Sequence, residues 1–346
     1  MKENAKAVDQ ALGRQSVLFQ NPVYLGGSAS VVGTKEGEGP LGEFFDVVLE
    51  DDMNGCNSWE EAESTLQRDA VSTLLKKTDI RSENIRYLFG GDLLGQSIAS
   101  TFGLLSFEIP YVGLYGACST CGLALSMGSM AVAGGFAENV ICVTSSHFAS
   151  AEKEFRFPLA YGNQRPKSAT WTVTGSGAFL LSSEKKEGVN IGITGITTGK
   201  IVDFGVKDSM NMGACMAPAA ADTILQHMKD FNRTPKDYDM IITGDLGEVG
   251  KNVLQDLLLQ KRCDITGRYT DCGIAMYNEV TQDTHAGGSG CGCSATVLSA
   301  FILRQMEKGI WKRVLFVPTG ALLSKVSFNE GKSVPGIAHA IILERL

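Results

Sequence analysis

Apolar and polar positions along this chain fall into rhythms that recur twice in the same order. Ala70, Val71, Leu74 and Leu75 repeat at helical spacing, and a short continuous apolar run, Tyr87-Leu88-Phe89, follows. Thr223, Ile224, His227 and Met228 hold the corresponding places 153 residues later, ahead of Met240-Ile241-Ile242. Both runs lead into Gly-Asp-Leu, at residues 91–93 and 244–246. At an offset of 174, Val140-Ile141-Cys142-Val143 lies over Val314-Leu315-Phe316-Val317. At an offset of 161, residues 175–181 lie over 336–342. Runs that are apolar at every position mark strands covered on both faces. The chain therefore reads as a duplication, each copy predicting strand, helix, strand, helix, strand, strand in a mostly parallel sheet.

Two further segments, 111–136 and 284–303, carry no charge at all. Each is long enough to cross a bilayer, but both are rich in glycine and serine. The pattern predicts loop-plus-helix elements buried inside protein. A helix without a polar face must be covered all round. Two such helices, over 118–135 and 291–308, fit between two sheets and give five layers, αβαβα. The halves meet near Lys185-Lys186-Glu187-Gly188, so 1–186 is the half carrying Cys118 and 187–346 the half carrying Asp245 and His285. The short boundary predicts one compact unit. Ser58, with Glu61 three residues on, predicts a capped helix start.

Composition narrows the function. A net charge of −7 argues against a nucleic-acid partner. Nine cysteines, an odd number whose spacings fit no secreted disulfide framework, and no apolar leader in residues 1–20 predict a reducing compartment. Cys118-x-x-Cys121 and Cys291-x-Cys293 have zinc or redox spacing, yet a shared buried core accounts for them as well. The acidic run Glu50-Asp51-Asp52 lacks calcium-loop spacing. The chain calls for no cofactor of its own.

The densest candidate chemistry is Gly113-Leu114-Tyr115-Gly116-Ala117-Cys118-Ser119-Thr120. A small-residue loop sets Cys118 and Ser119 at the head of a long helix, whose N-terminus favours an anion or a thiolate. Cys118 reads as a nucleophile, as an anion contact, or as a small core residue. His147 ends a core strand, where α/β ligand sites form. Asp92 and Asp245 are duplicates, and Asp92 reads as a cap for the next helix.

Ala117-Cys118-Ser119 at the head of a Gly/Ser/Ala-rich helix, in the first of two duplicated halves, resembles the thiolase superfamily. That resemblance implies the thiolase-like fold and a nucleophilic role for Cys118. It also implies a histidine after the strand at 240–243, where Gly244-Asp245-Leu246-Gly247 stands instead. His285, in Thr284-His285-Ala286-Gly287-Gly288-Ser289, is the one histidine left to stand near Cys118. The pocket reads as kept and the reaction machinery as eroded. A working acyltransferase or condensing enzyme using Cys118 on acyl-CoA or acyl-ACP is the alternative.

Longer runs, Val23-Tyr24-Leu25-Gly26-Gly27, 165–175 and 283–290, resemble the stage V sporulation protein AD family of spore-forming Firmicutes. The resemblance implies non-catalytic binding of dipicolinic acid, free or as its calcium chelate. It implies partnership with integral membrane proteins on the cytoplasmic side of the forespore or spore inner membrane, and a homodimer. For such a dianion the candidate cations are Arg156, Arg165 and Lys167, and the candidate ring partners Phe148, Tyr161 and Trp171. A solvated loop accounts equally for Arg165 and Lys167, and core packing for Trp171.

Overall fold

The computed structural model describes residues 9–155, 165–188 and 190–346. Its main sheet runs, neighbour to neighbour, through Tyr269–Asp271, Met240–Thr243, Arg313–Val317, Ala340–Arg345, Ile191–Thr197, Ser16–Val32, Gly175–Ser182, Asn139–Ser146, Tyr87–Gly91 and Tyr111–Gly113. Read outward from the middle, the two halves have the same strand order. Ser16–Val32 joins them, its first part pairing with Ile191–Thr197 and its second with Gly175–Ser182. Its register breaks between Leu18 and Val23 and again between Leu25 and Gly27.

The five layers follow from which side each strand residue faces. Ile141 and Val143 pack with Leu66, Ala70 and Leu74 of the Trp59–Thr78 helix, while Val140 and Cys142 pack with the central helices. In the second half Leu315 and Val317 face Ile224 and Leu254 of the outer helices Met212–Asp230 and Gly247–Gln260, and Val314 and Phe316 face the centre. This alternation is why the runs are continuous in sequence: each strand has a core on both sides. The charge-free segments supply the middle layer, Thr120–Ala133 from one half and Cys291–Val297 continuing to Glu307 from the other. The second of these includes a π-turn over Leu298–Ile302.

Ser58 caps its helix by accepting from the Glu61 amide at 3.2 Å. The Glu61 carboxylate reaches back to the Asn57 amide, one residue earlier than a standard capping box. The duplication is also looser than the offsets suggest. Residues 175–182 form one strand, but their counterpart is split at His339 into Gly336–Ala338, paired with Thr319–Ala321, and Ala340–Arg345 in the main sheet. Each half also gains a three-residue edge strand, Tyr111–Gly113 or Tyr269–Asp271, too short to carry a period of its own.

Close contact between layers depends on Gly177. A Cβ there would stand 2.7 Å from the Ala295 side chain and carbonyl carbon on the second central helix. Backbone cannot yield as a flexible side chain can. Gly177→Val is expected to lower stability by about 1–3 kcal/mol or more, read as a fall in the denaturation midpoint.

Candidate functional site

Cys118 lies in a turn that several bonds hold in place. Ser119 Oγ donates to Gly116 O at 2.6 Å, Thr120 Oγ1 to Ala117 O at 2.6 Å, and the Gly116 amide to Thr120 Oγ1 at 3.0 Å. They keep Ala117 at φ 50, a left-handed conformation that a residue with a Cβ adopts at a cost on the order of 1–3 kcal/mol. Gly320 backs the turn so closely that a Cβ on it would stand 2.3 Å from Gly116 O. Cys118 is thereby set just ahead of the Thr120–Ala133 helix, buried but for 7% of its surface.

Two groups from the second half meet it. The Asp245 carboxyl hydrogen-bonds the Cys118 thiol and accepts from Thr319 Oγ1 at 2.6 Å and the Gly290 amide at 3.0 Å. Burial pushes its pKa up to about 7 despite these donors. Cys291 heads the second central helix, as Cys118 precedes the first, and packs in one cluster with Cys118, Leu93 and Ala151. Its thiol donates to Ser145 O at 2.8 Å, and burial raises its pKa well above the usual thiol value. Asp271 braces the loop behind Asp245, accepting from Thr243 Oγ1 at 2.6 Å and the Leu246 amide at 2.9 Å.

A cavity of about 30 Å3 adjoins the thiol, lined mainly by Leu93, Tyr115, Phe155, Met212, Ala321 and Leu323, with Thr172 and Ser289 as polar neighbours. That is room for one water. A ligand the size of a pyridine dicarboxylate enters only if the walls move.

All four histidines are described, and none lines this cavity. His147 Nδ1 accepts from the Ala149 amide at 3.1 Å, which leaves Nε2 to donate to Asp52 O at 2.9 Å. It ties the strand end to the acidic loop, and burial lowers its pKa. His227 is enclosed by Thr197 and Tyr238, and His339 accepts from the Gly199 amide at 3.3 Å. His285, expected beside Cys118, instead lies in a left-handed turn at φ 54, with Nδ1 on Pro166 O at 2.9 Å and Nε2 3.2 Å from Asp283.

The remaining candidates gather on another face. Trp171 stacks on Phe148 at 3.8 Å, with Lys35 at 4.4 Å and Arg165 at 4.5 Å from its ring. Arg165 also donates to Asp283 O at 2.8 Å. Phe148 and Trp171 thus stack on each other, and Lys167 is exposed. Arg156 and Tyr161 lie outside the described residues. Asp92 accepts from the Leu94 amide at 2.9 Å and from Ser100 N at 2.8 Å and Oγ at 2.6 Å, reaching the third residue of the Ile98–Leu104 helix although Ser97 holds the cap position.

A polar network missed in the sequence lies behind the cavity. Glu63 accepts from Ser145 Oγ at 3.0 Å and Ser150 Oγ at 2.6 Å, and Gln67 donates to Ser100 Oγ and Ser145 Oγ at 2.8 Å each. Burial, with Asp92 nearby, raises the Glu63 pKa to about 8. The signal was available: Gln67 and Glu63 stand one and two turns before Ala70 on the same buried stripe.

Two halves of one continuous sheet packed on paired central helices, with a cysteine turn heading the first helix, define a thiolase-like protein. Solved structures agree in fold. An OleA variant from Xanthomonas campestris matches with a TM-score of 0.60 at 12% identity, covering 96% of this chain and 100% of that one. A thiolase from Ascaris suum in complex with coenzyme A matches at 0.59 and 12%, covering 94% and 100%. A 3-oxoacyl-[acyl-carrier-protein] synthase III from Aquifex aeolicus matches at 0.56 and 11%, covering 93% and 99%. Within that class, the chain belongs to the stage V sporulation protein AD family, whose model matches residues 13–344. The stage V sporulation protein AD of Bacillus subtilis is 43% identical over 335 residues, 96% of this chain and 97% of that protein.

Proposed function

We propose that the chain binds dipicolinate, free or as its calcium chelate, and does not catalyse condensation. One observation carries this reading: the cysteine turn is kept while none of the four histidines lines the cavity beside it. Cys118 faces Asp245 and Cys291, an acid that ionises near neutral pH and a thiol. A thioester oxyanion needs fixed donors aimed at it, and a carboxylate opposes that charge. A pocket with walls but without that set is suited to holding a molecule.

In the sporulation setting of its family, the protein acts as a peripheral subunit with integral membrane partners at the cytoplasmic side of the forespore or spore inner membrane. There it takes dipicolinate in during sporulation and releases it in germination. Among the described residues no helix is long and apolar enough to cross a membrane. Calcium, on this reading, arrives with the ligand; among the described residues no group of three or more His, Cys, Asp and Glu is placed to hold a metal. The Tyr111–Gly113 edge strand, with Tyr111 and Val112 more than a third exposed, suits pairing with a second copy.

Calorimetric titration with dipicolinate, with and without calcium, tests the reading. Saturable binding is expected, with benzoate weaker, Cys118→Ala lowering affinity about tenfold through the lost wall and hydrogen bond, and His285→Ala leaving it unchanged. No binding by the wild type overturns the reading. The strained Ala117 turn favours residual acyl chemistry as a second reading, which a mass increase at Cys118 after exposure to acyl-CoA would support.

A further inference from the structure

The cavity beside Cys118 is not the whole of the space at that end of the sheet. A more open hollow of about 390 Å3 lies outside it, reaching Gln96, Ser97, Glu154, Ser324 and Lys325. Leu93, Tyr115, Phe155 and Leu323 line both spaces, so these four side chains are the wall between them. The members of this wall are not equally fixed. Leu93 and Leu323 are 6% and 7% exposed and belong to packed clusters. Tyr115 is 48% exposed, and its hydroxyl makes no hydrogen bond to another described residue. It turns on two side-chain torsions, so it is the part of the wall that moves at least cost.

Charge is divided unequally between the two spaces. Among the described residues, the ionisable groups at and beside the inner cavity are acids, Tyr115, Asp245 and the Cys118 and Cys291 thiols. Among the described lining residues of the outer hollow there is one cation, Lys325, whose Nζ also reaches Lys153 O at 3.3 Å, and one anion, Glu154. Among the described residues no cation lines the inner cavity, so on this reading a carboxylate near Cys118 finds its partner in the outer hollow.

We propose that the outer hollow is the access subsite for small aromatic carboxylic acids on their way to Cys118, with Tyr115 as the movable wall and Lys325 as the carboxylate's partner. The proposal rests on the reading of the Cys118 cavity as a ligand site. It assigns the ring to the neck beside Tyr115 and Phe155, where offset stacking is available, and the acid group to the hollow.

Alkylation of Cys118 tests the route without the ligand, because iodoacetamide and iodoacetate are similar in size and differ in charge. In each case the thiol sulfur displaces iodide and the thiol proton goes to solvent. The full chain is treated with each reagent, and modification at Cys118 is followed by peptide mass spectrometry, with melting curves confirming that the variants fold. Tyr115→Ala is expected to speed both reactions about tenfold by opening the wall. Lys325→Glu is expected to lower the iodoacetate rate several-fold relative to iodoacetamide, to roughly the extent that one reversed local charge shifts association. Unchanged rates in Tyr115→Ala, or an unchanged ratio in Lys325→Glu, overturn the proposal. Titration of the same variants with dipicolinate separates the two readings. Wild-type affinity and association rate in both variants sink the access subsite and leave the function standing. Absence of binding by the wild type, with the alkylation results as expected, sinks the function and leaves the route.

Discussion

Dipicolinate affinity is expected to fall as pH rises through about 7, and Asp245→Asn is expected to remove that fall. The carboxyl groups of the ligand are ionised well below this range, so the titrating group belongs to the protein. Asp245 is 1% exposed, and burial holds its pKa at about 7 even though Thr319, Gly290 and Cys118 all hydrogen-bond it. Below that pH it is neutral and tolerates a dianion beside Cys118. Above it, a buried carboxylate confronts the incoming charge, and binding must take up a proton. One proton linked to binding lowers affinity by up to about tenfold per pH unit above 7. Asparagine keeps the shape, keeps an acceptor and never ionises. The variant is expected to match the wild type at pH 6 and to bind more tightly at pH 8.5. Calorimetry in buffers of different ionisation enthalpy should count about one proton at pH 8.5 for the wild type and none for Asp245→Asn. An affinity that stays flat from pH 6 to 9 would exclude Asp245 from the ligand's surroundings.

The second large effect is on stability. The melting temperature is expected to fall as pH rises from about 6.5 to 8, above the range in which the buried histidines act in the opposite sense, and Glu63→Gln to flatten part of that slope. Glu36, Glu63 and Asp245 have pKa values raised by burial to about 7, 8 and 7. An acid whose folded pKa lies above its unfolded value leaves the folded state holding the extra proton between the two. Stability therefore declines with pH across that window, which for Glu63 runs from 4.5 to about 8. Within it, each such group changes stability by roughly 1.4 kcal/mol per pH unit at most. Carboxylates with depressed values, such as Glu60 and Asp230, act in the opposite sense only at acid pH, and the buried His147, His227 and His339, whose values burial lowers, oppose the decline up to about pH 6.5. Glutamine at 63 can still accept from Ser145 or Ser150 and carries no charge to bury. Scanning calorimetry from pH 5 to 9 tests this, and an equal slope in the variant would place the pH sensitivity elsewhere.

Much of this architecture is legible in the chain because it depends on burial, and burial writes itself into composition. The strands at 140–143 and 314–317 lack polar residues because each lies between two cores. The helices after Cys118 and Cys291 lack charge because the strands of both halves pack against them. The cysteine turn is legible as well, since only small residues fit a bend backed by Gly320. Gln67 and Glu63 could have been found too, had the helical stripe been followed one and two turns back into polar residues.

The pairing of distant side chains is another matter. His285 is adjacent to the second central helix in sequence, yet left-handed backbone at Asp283 and His285 carries it to Pro166, while Cys291 takes the place beside Cys118. Phe148 and Trp171 each read as a possible partner for an aromatic ligand, and the fold stacks one on the other. The sequence by itself determined the duplicated halves, the layers and the position of the cysteine, because these follow from local periodicity and from which faces must be dry. Only the tertiary structure decided that Asp245 and Cys291 meet Cys118, that the histidines do not, and that Tyr115 stands between the inner cavity and the outer hollow. Those contacts join residues up to 173 positions apart, and they are set by turns and hydrogen bonds that no periodicity records.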